Sequence, residues 1–232
     1  NATLEDDRAA QTQYDSLLGF YTPILKGFLT EMGLEAANLG MQVFGGHGYI
    51  HEHGMEQIAR DARIATLYEG TTGIQALDLL GRKVLIGSRG KCVRDFTRIM
   101  LRFATPRLLA RGSAGRMARS LIRHALEWNL FTAQIMWRAA RDRDFVGSTS
   151  VDYLMYSGYV MMGHFWALQA DQARQRLRSG QGGESADFYR AKIQTAEFYF
   201  DRLLPRADAH RTSALAPTRS LMQMDNGDFA FP

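Results

Sequence analysis

Apolar residues recur at steps of three and four along most of the chain. No alternation of apolar and polar positions persists over many residues, so the pattern predicts helices throughout. Thr22-Pro23 reads as a helix start: threonine at the cap and proline in the first turn, where its missing N–H costs nothing. Ile24, Leu25, Phe28, Leu29, Met32, Ala36, Leu39 and Val43 then form one apolar stripe, on a helix long enough for a bundle and ending at Gly45-Gly46. A short helix is expected over residues 55–63. Thr71 or Thr72 can cap a third, with Ile74, Leu77, Leu80 and Val84 as its buried face. Gly87-Ser88-Arg89-Gly90 is the best domain boundary, dividing the chain into residues 1–88 and 89–232. Four more helices are expected beyond it. One starts near Lys91. One starts near Ser113 and carries Trp128, Phe131, Ile135 and Trp137. One runs from near Ser148 to the run Ser179-Gly180-Gln181-Gly182-Gly183, and the last covers roughly residues 185–209. The tail after Arg211 is expected to be irregular.

The segment 153–170 is apolar enough to raise a membrane span. It contains Ser157, His164 and two glycines, Asp152 and Asp171 flank it, and its length is marginal for a bilayer. A buried bundle helix fits better, with its methionines and aromatics as core filling. With 232 residues, 46% of them hydrophobic, the chain can build one or two cores, and the fold class is all-α. The single cysteine, Cys92, excludes an internal disulfide and fits a reducing, cytoplasmic setting. Beside Lys91 it reads as an ordinary helix residue, with a reactive thiol as the alternative. The net charge of +4 is due largely to arginine. Arg116, Arg119 and Arg123 can share one helix face. That face is either solvated or turned to an anion such as nucleic acid or a CoA phosphate. No stacking aromatics or nucleic-acid motif accompany it, so the solvated face is preferred.

Residues 45–54 read GGHGYIHEHG, with three histidines and a glutamate within seven residues. His47 and His51 have the i, i+4 separation of helical metal ligands, but Gly45, Gly46, Gly48 and Gly54 around them argue against a helix. His51 and His53 could share a face only in a strand. There is no HExxH pattern and no cysteine partner, so no metal is expected. The glycines make more sense as the functional element, because they let a backbone approach a ligand closely and offer its N–H groups to a phosphate or an extended cofactor. Alone, the string also fits a helix C-cap followed by a loop.

Three motifs in order change the picture: QVFGGHGY at residues 42–49, RDAR at 60–63 and LYEGTTGIQ at 67–75. Together they resemble the C-terminal helical domain of the acyl-CoA dehydrogenase family, closely over about residues 15–88. The remainder resembles the extra helical domain of one branch, large bacterial enzymes similar to methylmercaptopropionyl-CoA dehydrogenase, through VDYL at 151–154 and FYRAKIQTAEFYFDRLLP at 188–205. The resemblance implies the C-terminal helical-bundle part of an FAD enzyme followed by an additional helical domain. Such an enzyme oxidises an acyl-CoA thioester to the trans-2-enoyl-CoA. Glu69 matches the base that removes the α-proton, and its backbone N–H matches the donor that polarises the thioester carbonyl. Tyr68 flanks that base on the substrate side, and Gly70 leaves room for the thioester. Thr71 matches a flavin contact; at Gly73 many relatives carry a polar residue, so no side-chain contact is carried over there. Gln42, Gly45 and Gly46 match the loop that meets the adenine, ribose and pyrophosphate of FAD, typically FAD bound mainly by a neighbouring subunit. A homo-oligomer, dimer or tetramer, is therefore implied. His47, His51 and His53 match nothing catalytic. Asp61 and Arg63 are expected to fix the turn carrying Glu69, by an ion pair or helix-end contacts.

The implied partners are an acyl-CoA substrate and electron-transferring flavoprotein. Nucleic acid and membrane are not expected partners. Alternatives stay open: an acyl-CoA oxidase, which passes electrons to oxygen, a non-catalytic or DNA-associated relative, or a purely structural helical module. The chain starts at Asn1 without an initiator methionine or a targeting segment. It therefore reads as part of a longer protein, without the N-terminal helical domain, the central β-domain and the first part of the C-terminal helical domain. Alone it is expected to be inactive and to bind FAD poorly.

Overall fold

The computed structural model describes residues 2–180 and 183–230, which contain helices and no strand. They form two compact units, Asn1–Cys92 and Val93–Pro232.

In the first unit α1 (Ala2–Val43) is the spine, and Pro23 lies inside it rather than at its start. An interior proline leaves the Gly19 carbonyl without an N–H donor and costs up to about 3 kcal/mol. The surroundings offset this. The Thr22 hydroxyl donates to the Leu18 carbonyl at 2.8 Å, and Phe20, Ile24 and Phe28 on the same face are all but inaccessible. The expected stripe holds only in part. Ile24 and Phe28 are buried, but Leu29, Leu39 and Val43 are 43%, 58% and 85% exposed, and Ala37 is buried where Ala36 was expected. The C-terminal half of α1 presents part of the stripe outward.

Gly45–Tyr49 and His51–His53 form two 3-10 turns. α2 (Met55–Leu67) runs a turn past its expected end. α3 (Thr72–Leu77) continues as a π-helix, Asp78–Gly87. The wider π turn moves the buried face: Ala76, Leu79, Leu80 and Val84 are fully buried, whereas Ile74 and Leu77 are 59% and 44% exposed. At the end of the π-helix Arg89 (φ 48°) and Gly90 (φ 75°) turn left-handed, and the Gly90 N–H closes on the Val84 carbonyl at 2.8 Å. α4 (Lys91–Ala104) follows at once. Cys92 is buried, its sulfur accepting from the Ser88 hydroxyl at 3.0 Å.

The second unit holds most of α4 together with α5 (Ser113–Ala139), α6 (Asp144–Ser179) and α7 (Ala186–Phe198), which widens into a π turn, Tyr199–Leu203. α8 (Arg206–Ala214) and α9 (Arg219–Met222) complete it. α6 begins one turn before Ser148. The single helix expected over 185–209 is broken at Pro205, which has no N–H to continue the ladder, and α8 restarts behind it. The tail after Arg211 is accordingly less irregular than expected: it ends α8, forms α9 and closes in a 3-10 turn, Asn226–Phe229. Gln181 and Gly182 of the expected linker lie outside the described residues.

From Tyr153 to Met161 every residue of α6 is buried, and the Tyr156 ring meets Trp128 and Phe131 of α5 edge to face. The Tyr153 hydroxyl accepts from the Trp128 indole N–H at 3.2 Å and bonds Thr132 at 2.8 Å, so the wet ends of these aromatics are satisfied inside the core. None of the helices, among the described residues, is long and apolar enough to cross a membrane. The residues of the arginine stripe are exposed. Two of the three meet protein partners: Arg119 donates to the Leu108 carbonyl at 3.1 Å, and Arg123 pairs with Asp208 at 3.2 Å.

Candidate functional site

The YEGT stretch is the short connection between α2 and α3. Tyr68 ends α2 in extended backbone (φ −84°, ψ 177°) while its N–H still reaches the Ile64 carbonyl at 3.1 Å. Gly70 then turns left-handed (φ 79°), and a Cβ placed there would lie 2.2 Å from Gln75 Nε2. The left-handed φ favours glycine here, and the end of the Gln75 side chain lies over it. Thr71 returns to extended backbone (φ −50°, ψ 159°) and starts α3, its carbonyl accepting from the Gln75 N–H at 2.9 Å. Glu69 is therefore at the apex of a reversal whose two flanks are anchored in helices.

Two residues that the sequence did not single out hold this loop from α1. Lys26 Nζ donates to the Ala65 carbonyl and lies 4.8 Å above the centre of the Tyr68 ring. The Thr72 hydroxyl donates to Glu31 Oε1. Lys26 and Glu31 are charged residues next to or within an apolar stripe, which was the available signal. Behind the loop Thr66 is buried; its hydroxyl donates to the Arg63 carbonyl at 3.0 Å and accepts from Arg63 Nη1 at 3.1 Å. Arg63 thus makes a helix-end contact. Asp61 accepts instead from Gln57 Nε2 at 2.7 Å.

Glu69 and Tyr68 are exposed in this unit, Tyr68 by 55%.

The glycine-rich stretch is backbone built for approach. Gly45 is left-handed (φ 59°), and neither Gly45 nor Gly46 has any atom within 4 Å of where a Cβ would sit, so one face of the turn is open. Gly48 does the opposite: it is buried, and a Cβ would fall 2.4 Å from the Met41 carbonyl, so it locks the turn onto the end of α1. Gln42, one turn before, is exposed. An open, left-handed glycine turn fits an extended phosphate-bearing cofactor lying along its backbone. The histidines do other things. The rings of His47 and His53 meet edge to face at 5.2 Å, and His51 Nδ1 lies 3.2 Å from Glu56 Oε1. Next to the turns a cleft of about 630 Å3 opens between α1 and α2, with Asn38, Tyr49, Arg60 and Arg63 among its walls. Gln42, Gly45 and Gly46 do not line it.

Comparison with known proteins fits this geometry. Residues 94–225 match the family described as acetyl-CoA dehydrogenase C-terminal like, and residues 4–85 match the acyl-CoA dehydrogenase C-terminal domain. The chain is 36% identical over 205 residues to a 3-methylmercaptopropionyl-CoA dehydrogenase of Ruegeria pomeroyi, covering 88% of this chain and 34% of that protein. It is 29% identical over 216 residues to a broad-specificity linear acyl-CoA dehydrogenase of Mycobacterium tuberculosis, covering 89% of this chain and again 34% of the relative. Over 80 residues, 34% of this chain and 19% of the relative, it is 34% identical to a subunit of a caffeyl-CoA reductase–Etf complex of Acetobacterium woodii. The chain thus spans about a third of the length of the first two relatives.

Proposed function

Because the chain belongs to the acyl-CoA dehydrogenase family, we propose that it is the C-terminal part of an FAD-dependent acyl-CoA dehydrogenase, with Glu69 as the catalytic base. The observation that carries this is the YEGT reversal. It presents one carboxylate at its apex, turns left-handed at Gly70 directly after it, and is braced from α1 by Lys26 and Glu31.

In this proposal the acyl-CoA thioester lies against the loop. Glu69 takes the α-proton, and its carboxylate has to stand within hydrogen-bond reach of that carbon. The backbone N–H of Glu69 polarises the thioester carbonyl, so that charge developing on oxygen meets a donor already in place. Tyr68, steadied by Lys26, forms the apolar flank that helps to exclude water once substrate is bound. Gln42, Gly45, Gly46 and Thr71 would hold FAD, and the open faces of Gly45 and Gly46 suit its phosphates. When bound, FAD supplies the acceptor for the β-hydride.

The exposed apolar side chains of Leu39, Val43 and Tyr49 near the glycine turn support a covered surface there in the working protein, consistent with a homo-oligomer. The Acetobacterium relative is named as part of an Etf complex, which supports electron-transferring flavoprotein as the electron acceptor. The residue divisions 1–88 and 89–232 are proposed as the partial catalytic helical domain and its helical extension.

The test is anaerobic mixing of the full-length protein, purified with its flavin, with a panel of acyl-CoAs. Flavin bleaching is expected, and Glu69→Gln should abolish it while folding and flavin content stay intact. Undiminished bleaching in that variant removes Glu69 from the role of base.

A further inference from the structure

Two charges on α1 hold the YEGT loop, and each is given to a neutral partner. Lys26 and Glu31 are both half-buried. Lys26 Nζ donates to the Ala65 carbonyl, one of the last four of α2, for which the helix itself supplies no N–H. Glu31 accepts from the hydroxyl of Thr72, the first residue of α3. The Thr71 side chain makes no capping bond at this helix start, and the Thr72 hydroxyl reaches back to α1.

The two contacts bracket Glu69. Ala65 lies four residues before it and Thr72 three after it. The residues directly beside it are held as well: Lys26 Nζ stands 4.8 Å above the Tyr68 ring, and the end of the Gln75 side chain lies over Gly70. The flanks are fixed while the carboxylate between them is exposed. Lys26 and Glu31 are five residues apart on one helix, about 7.5 Å along its axis, so α1 fixes the separation of the two anchor points.

Partial burial of an ammonium and a carboxylate is a poor route to stability, because apolar side chains of similar volume do as well. What a charge-assisted hydrogen bond adds is strength at a defined direction and length. A base acting on a carbon acid must stand within hydrogen-bond reach, and a misplacement of about 1 Å can cost on the order of a hundredfold in rate.

We propose that Lys26 and Glu31 are positioning residues for the reaction. They set where the Glu69 carboxylate stands before substrate arrives, Lys26 through Ala65 and Tyr68, and Glu31 through Thr72. This rests on the reading of Glu69 as the base. The braces act on the rate of proton removal rather than on acyl-CoA affinity, flavin content or the fold.

The test uses the full-length protein with its flavin and has two readouts. One is the limiting rate of anaerobic flavin reduction by the best acyl-CoA of the panel. The other is backbone hydrogen exchange over residues 66–74 without substrate. Lys26→Met and Thr72→Val should each slow reduction about tenfold to a hundredfold, with half-saturation and flavin content changed by less than about twofold. Exchange over 66–74 should quicken in both. Thr72→Ser, which keeps the hydroxyl, should restore rate and protection. Glu31→Ala combined with Thr72→Val should cost no more than the worse of the two alone, since the pair acts as one contact. Unchanged exchange in Lys26→Met and Thr72→Val overturns the proposal. So does a loss confined to flavin content or unfolding midpoint, or a Thr72→Ser variant as slow as Thr72→Val. Bleaching that survives Glu69→Gln would remove the base, whereas the exchange data still show whether Lys26 and Glu31 hold the loop, so the two failures are distinguishable.

Discussion

His164 places a titratable ring in the middle of α6, and its consequence can be worked out. It is 3% exposed, Phe96 and Phe103 meet it edge to face at 5.7 and 5.6 Å, and its Nδ1 has no partner. Burial therefore holds it neutral and pushes its pKa from the ordinary 6.5 down to about 4. The folded value is the depressed one, so below pH 6.5 the unfolded chain binds a proton that the folded chain refuses. Stability is full above the unfolded value and falls as pH drops towards 4. With 1.36 kcal/mol per unit, the loss from this ring is about 2 kcal/mol between pH 7 and pH 5, approaching about 3 near pH 4. His124, also lowered mainly by burial, adds loss of the same sign. The Asp171 carboxylate, held below the usual range by its hydrogen bond from Arg107, titrates beneath this window. All three tryptophans, Trp128, Trp137 and Trp166, lie in the second unit, so their fluorescence reports its unfolding alone. The assay is urea unfolding at pH 7 and pH 5, for the native chain and for His164→Phe, which keeps a ring between Phe96 and Phe103. The variant should lose about 2 kcal/mol less on acidification. Equal losses in the two proteins would refute the assignment.

Two other outcomes follow from local geometry. Gly70→Ala forces a left-handed residue to carry a Cβ against Gln75, so it should destabilise the first unit by about 1–2 kcal/mol and, in the full-length protein, slow flavin reduction more than it lowers flavin content. Tyr153→Phe removes the acceptor of the Trp128 indole and a partner of Thr132, and should lower the stability of the second unit by about 1–3 kcal/mol with a shift in tryptophan emission; an unchanged midpoint would show that the hydroxyl contributes little.

Helix content, the breaks at Gly45-Gly46 and Gly87–Gly90, and the burial of segment 153–161 were legible in the residues, because period and turn chemistry act over a few positions. The order QVFGGHGY, RDAR, LYEGTTGIQ was equally legible as a resemblance, and the family comparison agrees with it. Other features depend on what each helix meets. Thr22-Pro23 has the residues of a helix start, yet α1 passes through it because Phe20, Ile24 and Phe28 gain more from one continuous buried face than the missing hydrogen bond costs. A period of 3.6 assigns Ile74 and Leu77 to the core, but the π turns that follow give those places to Ala76 and Leu79. Lys26 and Glu31 lie about forty residues before the loop they brace. Local propensity carries no term for such distant pairs; chain packing alone brings them together.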